Sequence, residues 1–162
     1  MTDLIDRIMC GNKWDKIWMD LAHAIAKNST CNIPDRSVGC VIVAGDNSQV
    51  LSLGYNGSAK GDDNSCEYAP TTATGGLITV GSRCTCVHAE MNALTKLNTT
   101  NLVYKKMYLT LSPCNICYKL IVNAGINEVI YAQEYSRGNS LEKLKDLGVY
   151  VRHIKGHTDA IC

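Results

Sequence analysis

Four side chains in the sequence stand out for the chemistry they offer: the imidazole and carboxylate of His88-Ala89-Glu90, and the two thiols of Pro113-Cys114-Asn115-Ile116-Cys117. An imidazole and two thiolates are ligands suited to zinc, and three protein ligands leave the fourth tetrahedral position to water, the layout of a catalytic site and not of a closed structural one. A carboxylate that is not a ligand then has a use: beside such a water it takes the proton and delivers it to a substrate. Taken alone, Cys-x-x-Cys reads as well as a redox pair or as chance in a chain with nine cysteines, and a lone His-x-Glu is weak. The combination is far more specific, because Glu90 and Cys114 stand 24 positions apart with a strand-like run between them.

These groups have to be carried to one place. His88 and Glu90, two apart, would diverge from the middle of a helix, so they cooperate only if a helix begins at His88 and the metal lies beyond its end. Ser112 and Pro113 read as the cap and first turn of a second helix, over Cys114–Ala124, whose free N–H groups and dipole favour thiolate at Cys114 and Cys117. Upstream, Trp14, Ile17, Trp18, Leu21 and Ile25 recur at steps of three and four, which predicts an amphipathic helix over Asn12–Lys27. Val38–Val43 reads as a buried strand, Gly45-Asp46-Asn47-Ser48 as a turn, and Val50–Leu53 as its antiparallel partner. The pattern then alternates: helix His88–Leu97, strand Met107–Leu111, helix Cys114–Ala124, strand Glu128–Ala132, helix Leu141–Leu147, strand Val149–Val151. The fold class expected is α/β, with helices on both faces of a mixed sheet of about five strands that opens with an antiparallel hairpin and continues in parallel. Residues 1–162 are expected to form a single domain, interrupted by a long Gly-, Ser-, Thr-, Asp- and Asn-rich insertion at about 58–87.

Composition narrows the partners. With 46% hydrophobic and 19% charged residues the chain is of ordinary globular character, neither disordered nor collagen-like. A net charge of +1 lacks the footprint of a dedicated nucleic-acid or anionic-membrane binder, so a small substrate fits better than a polyanion. No apolar run approaches the roughly 18 residues that span a bilayer, and Met1–Cys10 lacks the pattern of a secretory signal. The expectation is a cytoplasmic protein, where clustered thiols read as metal ligands or catalytic groups and not as disulfides.

His-x-Glu followed by Pro-Cys-x-x-Cys is the signature of the zinc-dependent nucleobase deaminases, and the chain resembles the cytidine and deoxycytidylate deaminase superfamily over Cys31–Tyr135. Ser37-Val38-Gly39 before the first strand, Gly54-Tyr55-Asn56-Gly57 after the second, His88-Ala89-Glu90-Met91-Asn92-Ala93, Leu111-Ser112-Pro113-Cys114 with Cys117, Gly125-Ile126, and Tyr131 with Tyr135 carry the resemblance. The Gly-Tyr-Asn-Gly turn, Asn92 two beyond Glu90, and the insertion before His88 make it similar to the deoxycytidylate (dCMP) deaminases of bacteria and bacteriophages. The resemblance implies a three-layer α/β/α cytidine-deaminase-like fold and hydrolytic, zinc-dependent conversion of dCMP to dUMP and ammonia, which supplies dTMP synthesis. His88, Cys114 and Cys117 would hold the zinc, and Glu90 would move the protons. Asn56 would contact the sugar-phosphate, Tyr135 would stand at the phosphate end, and the Ala89 N–H would fix the base. Asn92 either contacts the nucleotide or braces the helix start. Arg36 is the candidate phosphate partner, since its planar fork suits phosphate, or else a solvated charge.

The same resemblance implies a second, structural zinc on Cys31, Cys66, Cys84 and Cys86, which would pin the insertion. It also implies a homo-oligomer, often a hexamer, with dCTP and dTTP as effectors and magnesium accompanying the nucleotide effector. Cys40 reads as a small core residue, and Cys10 and Cys162 have no assignable role. His23 reads as helix surface or packing, and His153 and His157 as tail. Three other readings compete. The substrate could be dCTP or deoxycytidine; the chain could be a non-catalytic zinc-stabilised nucleotide-binding module, which would need the ligands but not Glu90; and a tRNA or polynucleotide deaminase would carry more basic charge.

Overall fold

A computed structural model describes residues 13–31, 35–62, 86–98, 104–135 and 138–154. The described elements run α1 (Lys13–Ala26), β1 (Gly39–Ala44), β2 (Val50–Tyr55), α2 (Ala89–Thr95), β3 (Lys105–Leu111), α3 (Cys117–Asn123), β4 (Glu128–Gln133), α4 (Ser140–Asp146) and β5 (Tyr150–His153). The strands form one sheet in the order β2-β1-β3-β4-β5. β1 is antiparallel to both β2 and β3, while β3–β4 and β4–β5 are parallel. The opening hairpin, the parallel continuation and the helices on both faces match the expectation. The insertion expected at 58–87 falls for the most part outside the described residues.

Strand alternation divides the core in two, since successive side chains point to opposite faces. Cys40, Ile42, Met107, Leu109, Val129 and Tyr131 pack against Ala89 and Ala93 of α2, Ile121 of α3 and Leu144 of α4. Val41, Val43, Tyr108 and Ile130 face Met19, Ala22 and Ile25 of α1. β1 is buried along its whole length because both faces are covered.

The sequence placed α1's apolar stripe on Trp14, Ile17, Trp18, Leu21 and Ile25, but the structure buries Asp15, Met19, Ala22, Ile25 and Ala26. Trp14 and Ile17 remain 42% and 39% exposed, and Trp14 stacks on Trp18 with ring centroids 5.4 Å apart. The helix is turned by about one residue, or roughly 100°, because a polar group decides which side faces the sheet. Asp15, 3% exposed, accepts hydrogen bonds from Tyr108 Oη (2.7 Å) and from both terminal nitrogens of Arg152 (2.8 and 3.0 Å). Arg152 also donates from Nε to Glu128 at 2.6 Å. A stripe counted from apolar residues alone passes over a buried aspartate whose partners lie on β3 and β5. Gly39 completes the docking: a Cβ there would run into the Ala22 carbonyl oxygen of α1.

Arg152 neutralises two buried carboxylates, so its removal leaves both uncompensated. With the Arg152 side chain 30% exposed and partly screened by water, Arg152→Met is expected to cost about 2 kcal/mol in urea unfolding. Tyr108→Phe, which removes one partner of Asp15, is expected to cost about 1 kcal/mol.

Candidate active site

The first half of the site stands at the start of α2. His88 is the N-cap, with extended backbone (φ −71°, ψ 156°) and no side-chain cap bond, so its ring is left to project beyond the helix end. Glu90 follows in the first turn and is buried at 4% exposure. The helix start required by the His-x-Glu spacing is therefore present. β2 and α2 are tied by Ser52 Oγ donating to the Ala93 carbonyl (2.6 Å) and by Asn92 Nδ2 donating to the Tyr55 carbonyl (2.8 Å). At Gly54 the two backbones meet so closely that any Cβ would strike the Ala89 carbonyl oxygen.

The second half lies past β3. Here the structure corrects the sequence reading: α3 begins at Cys117, not at Cys114, and Ser112 does not cap it. The Ser112 hydroxyl instead accepts from the Tyr135 N–H at 2.7 Å, while the Ser112 N–H donates to the Gln133 carbonyl at 2.8 Å, which joins the ends of β3 and β4. Cys114 sits in the turn before the helix, its carbonyl taking the Tyr118 N–H at 3.1 Å. The electrostatic expectation holds in another form for Cys114 but not for Cys117, because the backbone N–H groups of Ile116 and Cys117 point at the Cys114 sulfur.

The two halves meet. His88 Nδ1 lies 3.3 Å from Cys117 Sγ and 3.5 Å from Cys114 Sγ, and the three donor atoms fall within 4.8 Å of one another. Zinc bonds of about 2.0–2.1 Å to nitrogen and 2.3 Å to sulfur at tetrahedral angles set N and S roughly 3.5 Å apart, so the donor set fits zinc in distance as well as in chemistry. The Cys114 thiol is held down to about 3 by the hydrogen bond from Cys117, with help from His88 and the backbone N–H groups. Cys117 is correspondingly pushed up by that bond, by burial and by the charge of Glu90. His88 is raised by its bond to Cys114 and by Glu90, against burial and the opposing charge of Arg36. Burial pushes the Glu90 carboxyl up to about 7, against the pull of its own backbone N–H and of His88. A carboxyl near neutrality is suited to both accepting and releasing a proton.

The other expected site residues fall in different places. Ala89 opens α2, where helix geometry leaves the first N–H groups without intrahelical partners. Asn92 braces the helix start against β2 through its bond to the Tyr55 carbonyl. Asn56, 6% exposed, has both ends of its carboxamide bonded to the backbone of residues 36 and 38. Arg36 is half-buried, with its charge bearing on His88. Tyr135 is half-buried and anchored through its backbone to Ser112. Cys31 is half-buried and Cys86 buried, whereas Cys66 and Cys84 lie outside the described residues. Spacing could not have shown the ties from Ser52 and Asn92, although a small polar residue beside Gly54 and an Asn inside a helix are the signals they left.

If His88, Cys114 and Cys117 hold the metal, Cys117→Ser and His88→Ala should each lose about one zinc atom per chain on dialysis. Glu90→Gln should keep it, as elemental analysis of the purified chains would read.

Comparison with known proteins agrees with this geometry. The model of the cytidine and deoxycytidylate deaminase zinc-binding region matches residues 12–133. A deoxycytidylate deaminase of Mycobacterium phage D29 is 35% identical over 128 residues, covering 75% of this chain and 95% of the relative. One from Schizosaccharomyces pombe is 32% identical over 155 residues, covering 93% of this chain, which spans only 47% of that longer protein. The structure of dCMP deaminase from the cyanophage S-TIM5 in complex with dCMP and dUMP superposes with a TM-score of 0.71 at 29% identity, over 88% of this chain and 98% of the other. No helix among the described residues is long and apolar enough to cross a membrane. With a matching family model over most of its length and the donor triad brought together beside the carboxylate, the chain belongs to the cytidine and deoxycytidylate deaminase family.

Proposed function

We propose that the protein hydrolyses dCMP to dUMP and ammonia. The observation that carries this reading is the meeting of His88, Cys114 and Cys117 beside a buried Glu90. The relatives named deoxycytidylate deaminase and the solved neighbour carrying dCMP and dUMP support the choice of nucleotide. His88 Nδ1 and the two sulfurs would hold zinc, which when bound supplies the Lewis acidity that makes water nucleophilic near neutral pH. Glu90 takes a proton from water as its oxygen bonds to cytosine C4, and passes that proton to N3. It then moves the remaining hydroxyl proton to the amino nitrogen, the C4–N bond breaks, and ammonia leaves with C4 as a carbonyl. The Ala89 N–H, at the start of α2, would hold the base, and Arg36 would pair with the phosphate.

An ultraviolet assay of cytosine-to-uracil conversion on dCMP, dCTP, deoxycytidine and CMP tests the assignment. dCMP is expected to turn over fastest, and Glu90→Gln to lose at least about a hundredfold in kcat while retaining zinc. Zinc binding with no turnover of any of the four would favour a nucleotide-binding module instead.

We further propose that Cys31, Cys66, Cys84 and Cys86 hold a structural zinc. Supporting this, Cys31 follows Thr30, whose hydroxyl accepts from the Ser58 N–H at 3.1 Å, and Cys86 precedes Val87, which exchanges two backbone hydrogen bonds with Gly57. Two of the four thiols thus flank ties to the neighbouring residues Gly57 and Ser58. Two zinc atoms per chain are expected, falling to one in Cys31→Ser; a value of one in the unaltered chain would retire the second site.

A further inference from the structure

Three consecutive residues at the end of β2, Tyr55, Asn56 and Gly57, reach three different parts of the molecule. The Tyr55 carbonyl receives Asn92 Nδ2 from α2. Gly57 exchanges hydrogen bonds of 3.1 and 2.8 Å with Val87, the residue before His88. Between them Asn56 turns the other way, toward the stretch before β1. Its Oδ1 accepts the Val38 N–H at 2.8 Å, its Nδ2 donates to the Arg36 carbonyl at 2.6 Å, and its own N–H donates to the Val38 carbonyl at 3.2 Å. A carboxamide offers one acceptor and one donor group, as a peptide unit does, so Asn56 supplies residues 36–38 with the partners a neighbouring strand would give.

That stretch needs such support. β1 begins only at Gly39, and Asp35 sits at φ +58°, in the left-handed region that side chains seldom adopt and that costs free energy unless its surroundings hold it. The same stretch forms one wall of an open cavity of about 380 Å³, through Asp35, Ser37 and Val38, facing Thr110 and Leu111 at the end of β3 and Gln133 at the end of β4. Leu111 leads directly into Ser112-Pro113-Cys114. The backbone held by Asn56 therefore carries Arg36 at the end of the sheet where the metal donors converge.

We propose that Asn56 is a positioning residue: its carboxamide fixes the backbone at Arg36 and Val38, and thereby sets Arg36 against the phosphate and gives the enzyme its preference for the nucleotide over the nucleoside. The proposal rests on the reading of the chain as a dCMP deaminase with Arg36 at the phosphate. It assigns Asn56 a task beyond contact with the sugar-phosphate, since each end of the carboxamide is bonded to protein backbone while one Nδ2 hydrogen and one Oδ1 lone pair remain. Selectivity for phosphate then depends on a neutral side chain that acts through a charged one.

A double-mutant cycle separates the two tasks, because residues acting through one another do not add. Arg36→Ala and Asn56→Ala are each expected to lower the ratio of kcat/KM for dCMP over deoxycytidine about tenfold, mainly by raising KM for dCMP, and the pair to lower it no further than Arg36→Ala alone. A multiplied loss of about a hundredfold in the pair, or no change in the ratio for Asn56→Ala, would overturn the proposal. Amide hydrogen exchange gives a readout that does not depend on activity. In Asn56→Ala the Val38 amide is expected to exchange at least about tenfold faster while Val41 and Ile42 keep their protection, which also reports that the variant is folded. Asn56→Asp keeps the acceptor toward Val38 and loses the donor toward Arg36, so it should retain Val38 protection and still lose substrate preference. Retained Val38 protection in Asn56→Ala sinks the positioning role whatever the activity. Lost protection in a chain whose unaltered form fails to deaminate dCMP sinks the deaminase reading and leaves the positioning of Arg36 standing.

Discussion

The backbone of α2 lies directly on β2 at Gly54, and the positions of His88 and Glu90 follow from that contact. Ser52 and Asn92 fasten the same pair of elements from either side of the glycine. From β2 the ladder passes through β1 to β3, and β3 delivers Cys114 and Cys117 at its far end. The two halves of the donor set are thus connected through three hydrogen-bonded strands. Donor atoms held within a few tenths of an ångström of metal-bonding geometry require a frame of this kind. A larger residue at position 54 would move the helix start that carries half of the chemistry.

The sheet's two faces are held by different forces. On the side of α2, α3 and α4 the packing is almost wholly apolar. On the side of α1 an apolar layer is joined by Asp15, Arg152, Glu128 and Tyr108, which link the first described helix to the last strand. Buried ion pairs of this kind contribute less net stability than the apolar residues beside them, but they fix orientation, since a misplaced aspartate would be left without its partners. Here they turn α1 onto a face that its large apolar side chains alone would not have selected.

Much of the fold was legible in the sequence because period-two and period-3.6 patterns respond to burial, and burial decides these elements. The strand cores and the alternation after His88 came through with ends shifted by one to three residues. What stayed hidden depends on single polar contacts between distant positions. Ser112 looks like a helix cap from its neighbours in sequence, yet its hydroxyl is taken by Tyr135 from the adjacent strand end. Asn56 looks like a nucleotide ligand because of the family it resembles, and Asn92 like either such a ligand or a brace, while in the structure the bonds of both reach backbone at or beside another site residue. The donor triad was legible for the opposite reason: its chemistry is encoded in residue type, and residue type survives without knowledge of the path between the residues.

The tryptophan pair of α1 has an optical consequence. The chain's two tryptophans, Trp14 and Trp18, are stacked on one another on the helix that covers the sheet face opposite α2, and the Trp18 indole N–H is tethered to Asn47 in the β1–β2 turn. Intrinsic tryptophan emission therefore reports how α1 sits on the sheet and on that turn. It is separated from the metal donors by the thickness of the sheet, so a metal-dependent change in that signal would measure motion transmitted through the strands and not events at the site itself.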